Sequence, residues 1–246
     1  MSIVAIIQAR MTSTRLPGKV LLPLGRRTVL DCVISRVSAV AGIDKICIAL
    51  PEGREHDVIE KHFAGLPSIA IARGPEHDVL ARFIIAARQT DATRIVRVTS
   101  DCPMIDPVVI SAVLAIHQAG GASYAATSHD SGFPIGCDCE IVTRQVLEMA
   151  DCEATDPYER EHVMPFIWRR PERFPALYLD RKPDLRHLRL TVDVPADYEL
   201  AKALYARLGG NPLFGIDAVE RVLAKEPELQ AINAGVTQTP YVYLQQ

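Results

Sequence analysis

Three familiar signatures are missing from this chain of 246 residues. No G-x-G-x-x-G follows its first apolar run and no G-x-x-x-x-G-K-[ST] occurs anywhere, so neither the dinucleotide fingerprint nor the usual phosphate loop is there to hold phosphates. There is no C-x-x-C pair. Cys32, Cys47, Cys102, Cys137, Cys139 and Cys152 are scattered, with one C-x-C and no His at zinc-ligand spacing, which argues for reduced, mostly buried thiols. No apolar run approaches the roughly 20 residues that span a bilayer. The short run at the N-terminus has no cationic stretch before it, as a signal peptide would. A cytoplasmic protein that does not engage membranes is expected. Its pI of about 6.2 lies far from the basic footprint of a nucleic-acid binder.

A fourth absence is local. No Asp or Glu occurs before Asp31, yet Arg10, Arg15, Lys19, Arg26 and Arg27 all fall in that stretch of a chain with net charge −3. Ser2-Ile3-Val4-Ala5-Ile6-Ile7 reads as a short buried strand, and Gln8 to Lys19 as the loop that leaves it. Open α/β sheets bind ligands at the ends of such strands. Cations gathered there point to a polyanion such as a nucleoside triphosphate. Thr12, Ser13, Thr14 and Gly18 let backbone approach closely, while Arg10, Arg15 and Lys19 can wrap a phosphate chain. A solvated loop with incidental charges is the bland alternative. Ala9 in the loop, Ser100 and Arg73 at later strand ends complete the expected nucleotide-binding set.

Strands and helices alternate through the first half. Residues 45–50, 68–72 and 94–99 read as strands, and 55–64, 78–87 and 108–118 as helices, the pattern of a mostly parallel sheet flanked by helices on both faces. The pattern loosens over 123–187, a stretch rich in turn formers with a helix expected over 157–169. Order returns with a strand at 188–192 and a helix over 195–208, and a packed strand-like end is expected at 241–244. One domain spanning 1–246 is the simplest account, with 123–187 as an acceptor-binding or dimerisation elaboration.

Carboxylates mark the rest of the site. Asp101 follows the fourth strand; a helix cap would be its ordinary role, but Asp106-Pro107 already supplies that cap, so Asp101 suits Mg²⁺ instead. Asp193 ends the strand at 188–192 beside Pro195, where cap and metal readings are evenly matched. Asp138 and Glu140 share one face of an extended segment, with Cys137 and Cys139 opposite; they could bind a metal or the hydroxyls of a sugar acceptor, or are merely the outward side of a half-exposed strand. Glu161 and His162 on the helix over 157–169 are placed with the acceptor, or else on plain surface. Charge pairing along a helix accounts for Asp78 and Arg82.

Together these residues resemble a known family. Ala9-Arg10-Met11-Thr12-Ser13-Thr14-Arg15-Leu16-Pro17-Gly18-Lys19 is similar to the nucleotide-binding signature of cytidylyltransferases that make CMP-activated sugar acids. Ser100-Asp101-Cys102-Pro103-Met104-Ile105-Asp106, Glu161-His162-Val163-Met164-Pro165 and Leu188-Arg189-Leu190-Thr191-Val192-Asp193 resemble the spore coat polysaccharide biosynthesis protein F group within them. The resemblance implies a Rossmann-like nucleotidyltransferase fold and usually a homodimer. It implies CTP, Mg²⁺ and a small sugar-like acceptor, with CMP transferred and pyrophosphate released. It puts Arg10, Arg15 and Lys19 on the triphosphate, with Arg15, Lys19 and Asp101 as the catalytic set. It makes Asp101 and Asp193 the metal pair. One departure stands out: many members read Pro-Asp-Gly where this chain has Pro134-Ile135-Gly136. A nucleotide-sugar-dependent glycosyltransferase using Asp138-Cys139-Glu140 would consume a preformed nucleotide sugar and release no pyrophosphate. A non-catalytic nucleotide-binding module would bind CTP and release nothing.

Overall fold

In the computed structural model, which describes residues 2–127 and 130–237, the two apolar faces of one strand set the plan of the molecule. Strand β1 (Ile3–Gln8) turns Ala5 and Ile7 to one hydrophobic layer and Val4 and Ile6 to another, all fully buried. Such two-sided burial is what a central parallel strand requires. A small hairpin, β2 (Pro23–Leu24) and β3 (Arg27–Thr28), precedes helix α1 (Val29–Ser38). β4 (Lys45–Pro51), α2 (Asp57–Phe63), β5 (Ile69–Gly74), α3 (Val79–Gln89), β6 (Arg94–Thr99) and α4 (Pro107–Gly120) continue the alternation. β7 (Tyr124–Ala126), β8 (Glu140–Thr143) and β9 (Ala176–Tyr178) then extend the same sheet, in the order β5-β4-β1-β6-β8-β7-β9. β8 runs against its neighbours β6 and β7, while the β1–β4, β1–β6, β4–β5 and β7–β9 pairings are all parallel.

The remaining helices are α5 (Arg144–Glu153), α6 (Pro157–His162), α7 (Pro165–Trp168), α8 (Pro195–Leu208), α9 (Ile216–Lys225) and α10 (Glu228–Ala231). α1, α4, α8 and α9 supply one apolar layer; α3, α5 and α7 supply the other. Side-chain caps fix several starts: Thr28 with Asp31 for α1, Asp78 for α3, Asp106 with Pro107 for α4, and Asp156 with Pro157 for α6.

Two expectations fail, each for a nameable reason. The helix over 157–169 is broken at Val163, which sits fully buried at φ 73°, an unfavourable conformation for a β-branched residue. Pro165 starts α7 afresh, because proline has no N–H to continue α6. The segment 188–192 is extended but joins no sheet; it forms only an isolated parallel bridge, Ile135 to Arg189. Four helices, α1, α5, α9 and α10, lie beyond the expectations drawn from spacing. The expected strand-like end at 241–244 lies outside the described residues. Cysteine placement agrees: all six are free, and Cys152 alone is exposed. Among the described residues no helix is long and apolar enough to cross a membrane.

Candidate active site

Strand order reverses between β1 and β6, and a cavity of about 890 Å³ opens at the carboxyl ends of those two strands. This is the switch point where doubly wound sheets bind ligands. One side is the loop after β1. Gly18 adopts φ 69° and donates its N–H to the Met11 carbonyl at 3.0 Å, closing the loop on itself. The Met11 N–H in turn donates to His56 Nδ1 at 3.1 Å. Burial holds the His56 imidazole below its ordinary pKa, against the pull of Glu55, so the ring stays neutral and able to accept. Ala9, Arg10, Ser13, Arg15 and Lys19 line the cavity.

Opposite the loop, Asp101 and Asp193 converge on one point. Lys19 Nζ lies 2.6 Å from Asp101 Oδ2 and 2.6 Å from Asp193 Oδ1. Two contacts hold the aspartate segments side by side: Val192 N–H donates to the Asp101 carbonyl at 2.7 Å, and Thr191 Oγ1 to the same oxygen at 3.2 Å. Burial pushes the Asp101 carboxyl up, but the Lys19 ammonium and the Thr99 hydroxyl outweigh it and leave it at about 2. Burial likewise depresses Lys19, and the two carboxylates more than reverse that, so Lys19 is raised.

Neither aspartate caps a helix. Asp106 Oδ1 takes the Val108 N–H of α4. Asp197 takes the N–H groups of Asp193 and Val194 at the start of α8. Asp193 is thereby left to Lys19, Arg15 (3.2 Å) and Arg189 (3.0 Å). Arg189 was not foreseen as part of this network. It also pairs with buried Asp197, whose Oδ1 accepts from Asn233.

The structure corrects three placements. Arg73 does not line the cavity: its guanidinium is taken by Glu60 (2.6 Å) and Asp57 (2.7 Å) of α2. Thr12 does not line it either; its hydroxyl donates to Glu76 at 2.7 Å. Asp78 is not paired with Arg82 but with Arg160, at 2.7 Å. Arg82 is the consequential one. It lines the cavity while only 3% exposed, and its Nε and Nη1 find no partner among the described residues. Burial and the neighbouring charge of Arg10 lower its pKa to about 10, so it remains charged at neutral pH.

The other end of the cavity is built by β6, β8, α6 and β9. Asp138, Glu140, Glu161 and His162 line it, while Ser100 lines the cavity next to Asp101. Asp138 stands beside Gly136, whose φ of 93° and approach to Thr191 (a Cβ there would lie 2.5 Å from its backbone nitrogen) press this turn against the Asp193 segment. Burial and the Glu140 charge raise the Asp138 carboxyl to about 6, although Gly136 N–H favours its anion. Glu140 is ion-paired with Arg97 and accepts from the Tyr124 hydroxyl at 2.8 Å. Arg97 escaped the sequence reading, although an arginine within an otherwise apolar central strand was its signal.

The raised Asp138 pKa makes a stability prediction. A carboxyl whose folded pKa exceeds its unfolded value of 3.8 contributes fully only below that value, and the contribution is lost as pH rises through about 6. Asp138→Asn therefore raises Tm at pH 8, by the equivalent of roughly 1–3 kcal/mol, and leaves it nearly unchanged at pH 4. Thermal unfolding of both proteins at the two pH values checks this.

Comparison with known proteins identifies the family. The family model described as cytidylyltransferase matches residues 4–225. Spore coat polysaccharide biosynthesis protein SpsF of Bacillus subtilis is 32% identical over 233 residues, covering 92% of this chain and 95% of that protein. A 3-deoxy-manno-octulosonate cytidylyltransferase of Syntrophotalea carbinolica is 29% identical over 209 residues, covering 85% and 74%. Among solved structures, a cytidylyltransferase from Leptospira borgpetersenii superposes with TM-score 0.87 at 30% identity, covering 98% of this chain and all of that one. With its signature loop at the switch point of the sheet and a match running nearly end to end, this chain belongs to the cytidylyltransferase family.

Proposed function

We propose that this chain transfers CMP from CTP to a hydroxyl of a sugar-like acceptor in surface polysaccharide synthesis, with Asp101 and Asp193 holding Mg²⁺. The observation that carries the reading is the single point shared by Asp101 Oδ2, Asp193 Oδ1 and a cation, here the Lys19 ammonium. Two carboxylate oxygens around one positive charge fit Mg²⁺, which takes a few hard oxygens and completes its shell with water and substrate phosphate. Among the described residues no third acidic, His or Cys ligand joins them, in keeping with that preference. Bound there, Mg²⁺ would neutralise charge on the phosphate oxygens.

The chain's own groups do the rest. Arg10, Arg15 and Arg82 face the side of the cavity where the triphosphate lies in this reading. The acceptor oxygen attacks the α-phosphorus, the bond to the bridging oxygen breaks, and pyrophosphate leaves with its charge met by Arg15 and Lys19. Asp138 accepts the hydroxyl proton, for which a carboxyl near 6 is well matched at neutral pH. Family likeness supports a homodimer and a cytoplasmic site of action. Pyrophosphate release, followed with each of four nucleotides, a sugar-acid panel, and Mg²⁺ or EDTA, tests the reading. Release requires CTP and Mg²⁺ together, and Arg15→Ala lowers it by about 10²–10³ without lowering Tm. Near-normal release by Arg15→Ala, or release with a nucleotide sugar in place of CTP, refutes it.

A further inference from the structure

The loop after β1 is tied to the β4 side of the sheet before it reaches its later cations. The Ala9 N–H donates to the Ala49 carbonyl of β4 at 3.1 Å. Two residues on, the Met11 N–H donates to a side chain instead, His56 Nδ1, across 45 residues of sequence. Met11 is also where the loop closes, because its carbonyl takes the Gly18 N–H. Both backbone polar groups of Met11 are thus engaged at the base of the segment that carries Ser13, Thr14 and Arg15. Lys19 follows Gly18 directly and reaches Asp101 and Asp193.

His56 ends a single 3₁₀ turn (Arg54–His56) after β4 and is wholly buried. Arg73, the cation that does not reach the cavity, braces that turn. It donates to the Gly53 carbonyl at 3.0 Å and pairs with Asp57, the two residues that flank the turn. An imidazole accepts at Nδ1 only when that nitrogen is unprotonated, which here puts the proton of the neutral ring on Nε2. Burial is the main cause that keeps the ring neutral. Arg73 on β5 and Arg82 on α3 act with it; Glu55 on the same turn and Glu76 after β5 act against it. Nε2 makes no hydrogen bond among the described residues and lies 3.5 Å from Glu55 Oε1. Filling the core needs only an apolar side chain. A buried imidazole loses the hydration of two nitrogens, and the hydrogen bond that offsets this serves the loop.

Resting on the reading of this loop as the triphosphate site, we infer that His56 is a positioning residue for nucleotide binding. By accepting the Met11 N–H it fixes the base of the loop, and so aims Arg15 and Lys19 at the phosphates.

Two isosteric variants separate this role from packing. His56→Asn puts an amide oxygen where Nδ1 lies and keeps an acceptor for Met11. His56→Gln carries its amide to the place of Nε2 and leaves the Met11 N–H without one. In the ligand-free protein, hydrogen exchange of peptides covering residues 9–19 loses protection in His56→Gln and keeps it in His56→Asn. Calorimetry with α,β-methylene-CTP and Mg²⁺ shows affinity about ten-fold weaker in His56→Gln, and within about two-fold of the wild type in His56→Asn. Equal affinities in the two variants, or loop exchange in His56→Gln equal to that of the wild type, overturns the inference. The wild type supplies a readout that needs no variant to fold: the ¹⁵N resonances of the His56 ring show Nδ1 unprotonated at neutral pH, and a proton there overturns the inference equally. Failure of the CTP reading is seen separately, as Arg15→Ala binding the analogue as tightly as the wild type. The exchange comparison then decides alone whether His56 holds the loop.

Discussion

Lys19→Ala lowers the stability of the metal-free protein by about 2–3 kcal/mol, and Mg²⁺ restores most of the loss. Lys19 is 8% exposed and its ammonium bridges two carboxylates, so removing it leaves both facing each other. Breaking a fully buried pair costs about 3–5 kcal/mol; here water reaches part of both aspartates, which lowers the figure. Arg15 and Arg189 still neutralise Asp193, but Asp101 loses its ion-pair partner. A divalent ion at the vacated point then adds about 2.7 kcal/mol at a hundred times its dissociation constant. In the wild type the ammonium competes for the same oxygens, so Mg²⁺ alone raises Tm less. Turnover falls by about 10²–10³ because charge on departing pyrophosphate is no longer met.

The pH window of this cluster follows from its shifts. The Asp101 contribution is present above 3.8 and fades as pH falls through about 2, while that of Lys19 is present below 10.5 and fades only beyond its raised value. The wild-type cluster is therefore silent from pH 4 to 10. Thermal unfolding in EDTA and in Mg²⁺, for both proteins, checks all of this. Equal Mg²⁺ shifts in the two would show that the aspartates do not share a metal.

Residues whose roles are settled locally were legible in the sequence. The alternation in Val4-Ala5-Ile6-Ile7 places β1 between two layers, and proline after Asp106 identifies the cap of α4. Asp193 was ambiguous, yet the resolving signal was four residues away: Asp197 stands at the third helical position of α8, where an acid takes the first backbone donors. Other features depend on what the rest of the chain brings alongside. Arg73 stands at a strand end as a ligand-binding cation would, but the register of α2 sets two acids beside it. The segment 188–192 has the apolar content of a strand, but no strand offers it an edge; it pairs at one bridge, buries Leu188, Leu190 and Val192 in the core, and holds Asp193 near Asp101 through the Val192 N–H and the Thr191 hydroxyl. Asp78 and Arg82 have the spacing of a helical ion pair, and spacing alone could not show that Arg160, distant in sequence, would take the aspartate. That long-range choice freed Arg82.

Arg82→Met accordingly stabilises the ligand-free protein and cripples nucleotide binding. A guanidinium with two unsatisfied buried nitrogens carries a desolvation penalty of about 1–3 kcal/mol, which an apolar side chain of similar length removes. The lowered pKa of Arg82 reports the same penalty from the charge's side, with burial as its main cause and Arg10 adding repulsion. An anion entering the cavity satisfies both nitrogens and relieves the repulsion at once. Its affinity therefore depends strongly on Arg82, and truncating one side of such a buried charged contact weakens binding by about 2–5 kcal/mol. CTP affinity measured by calorimetry drops at least about 30-fold on that scale, while Tm without ligand rises. The opposing signs are the diagnostic feature: a residue kept for packing would lose stability and spare affinity. A lower Tm with unchanged CTP binding would return Arg82 to the hydrophobic layer of α3 and remove it from the site.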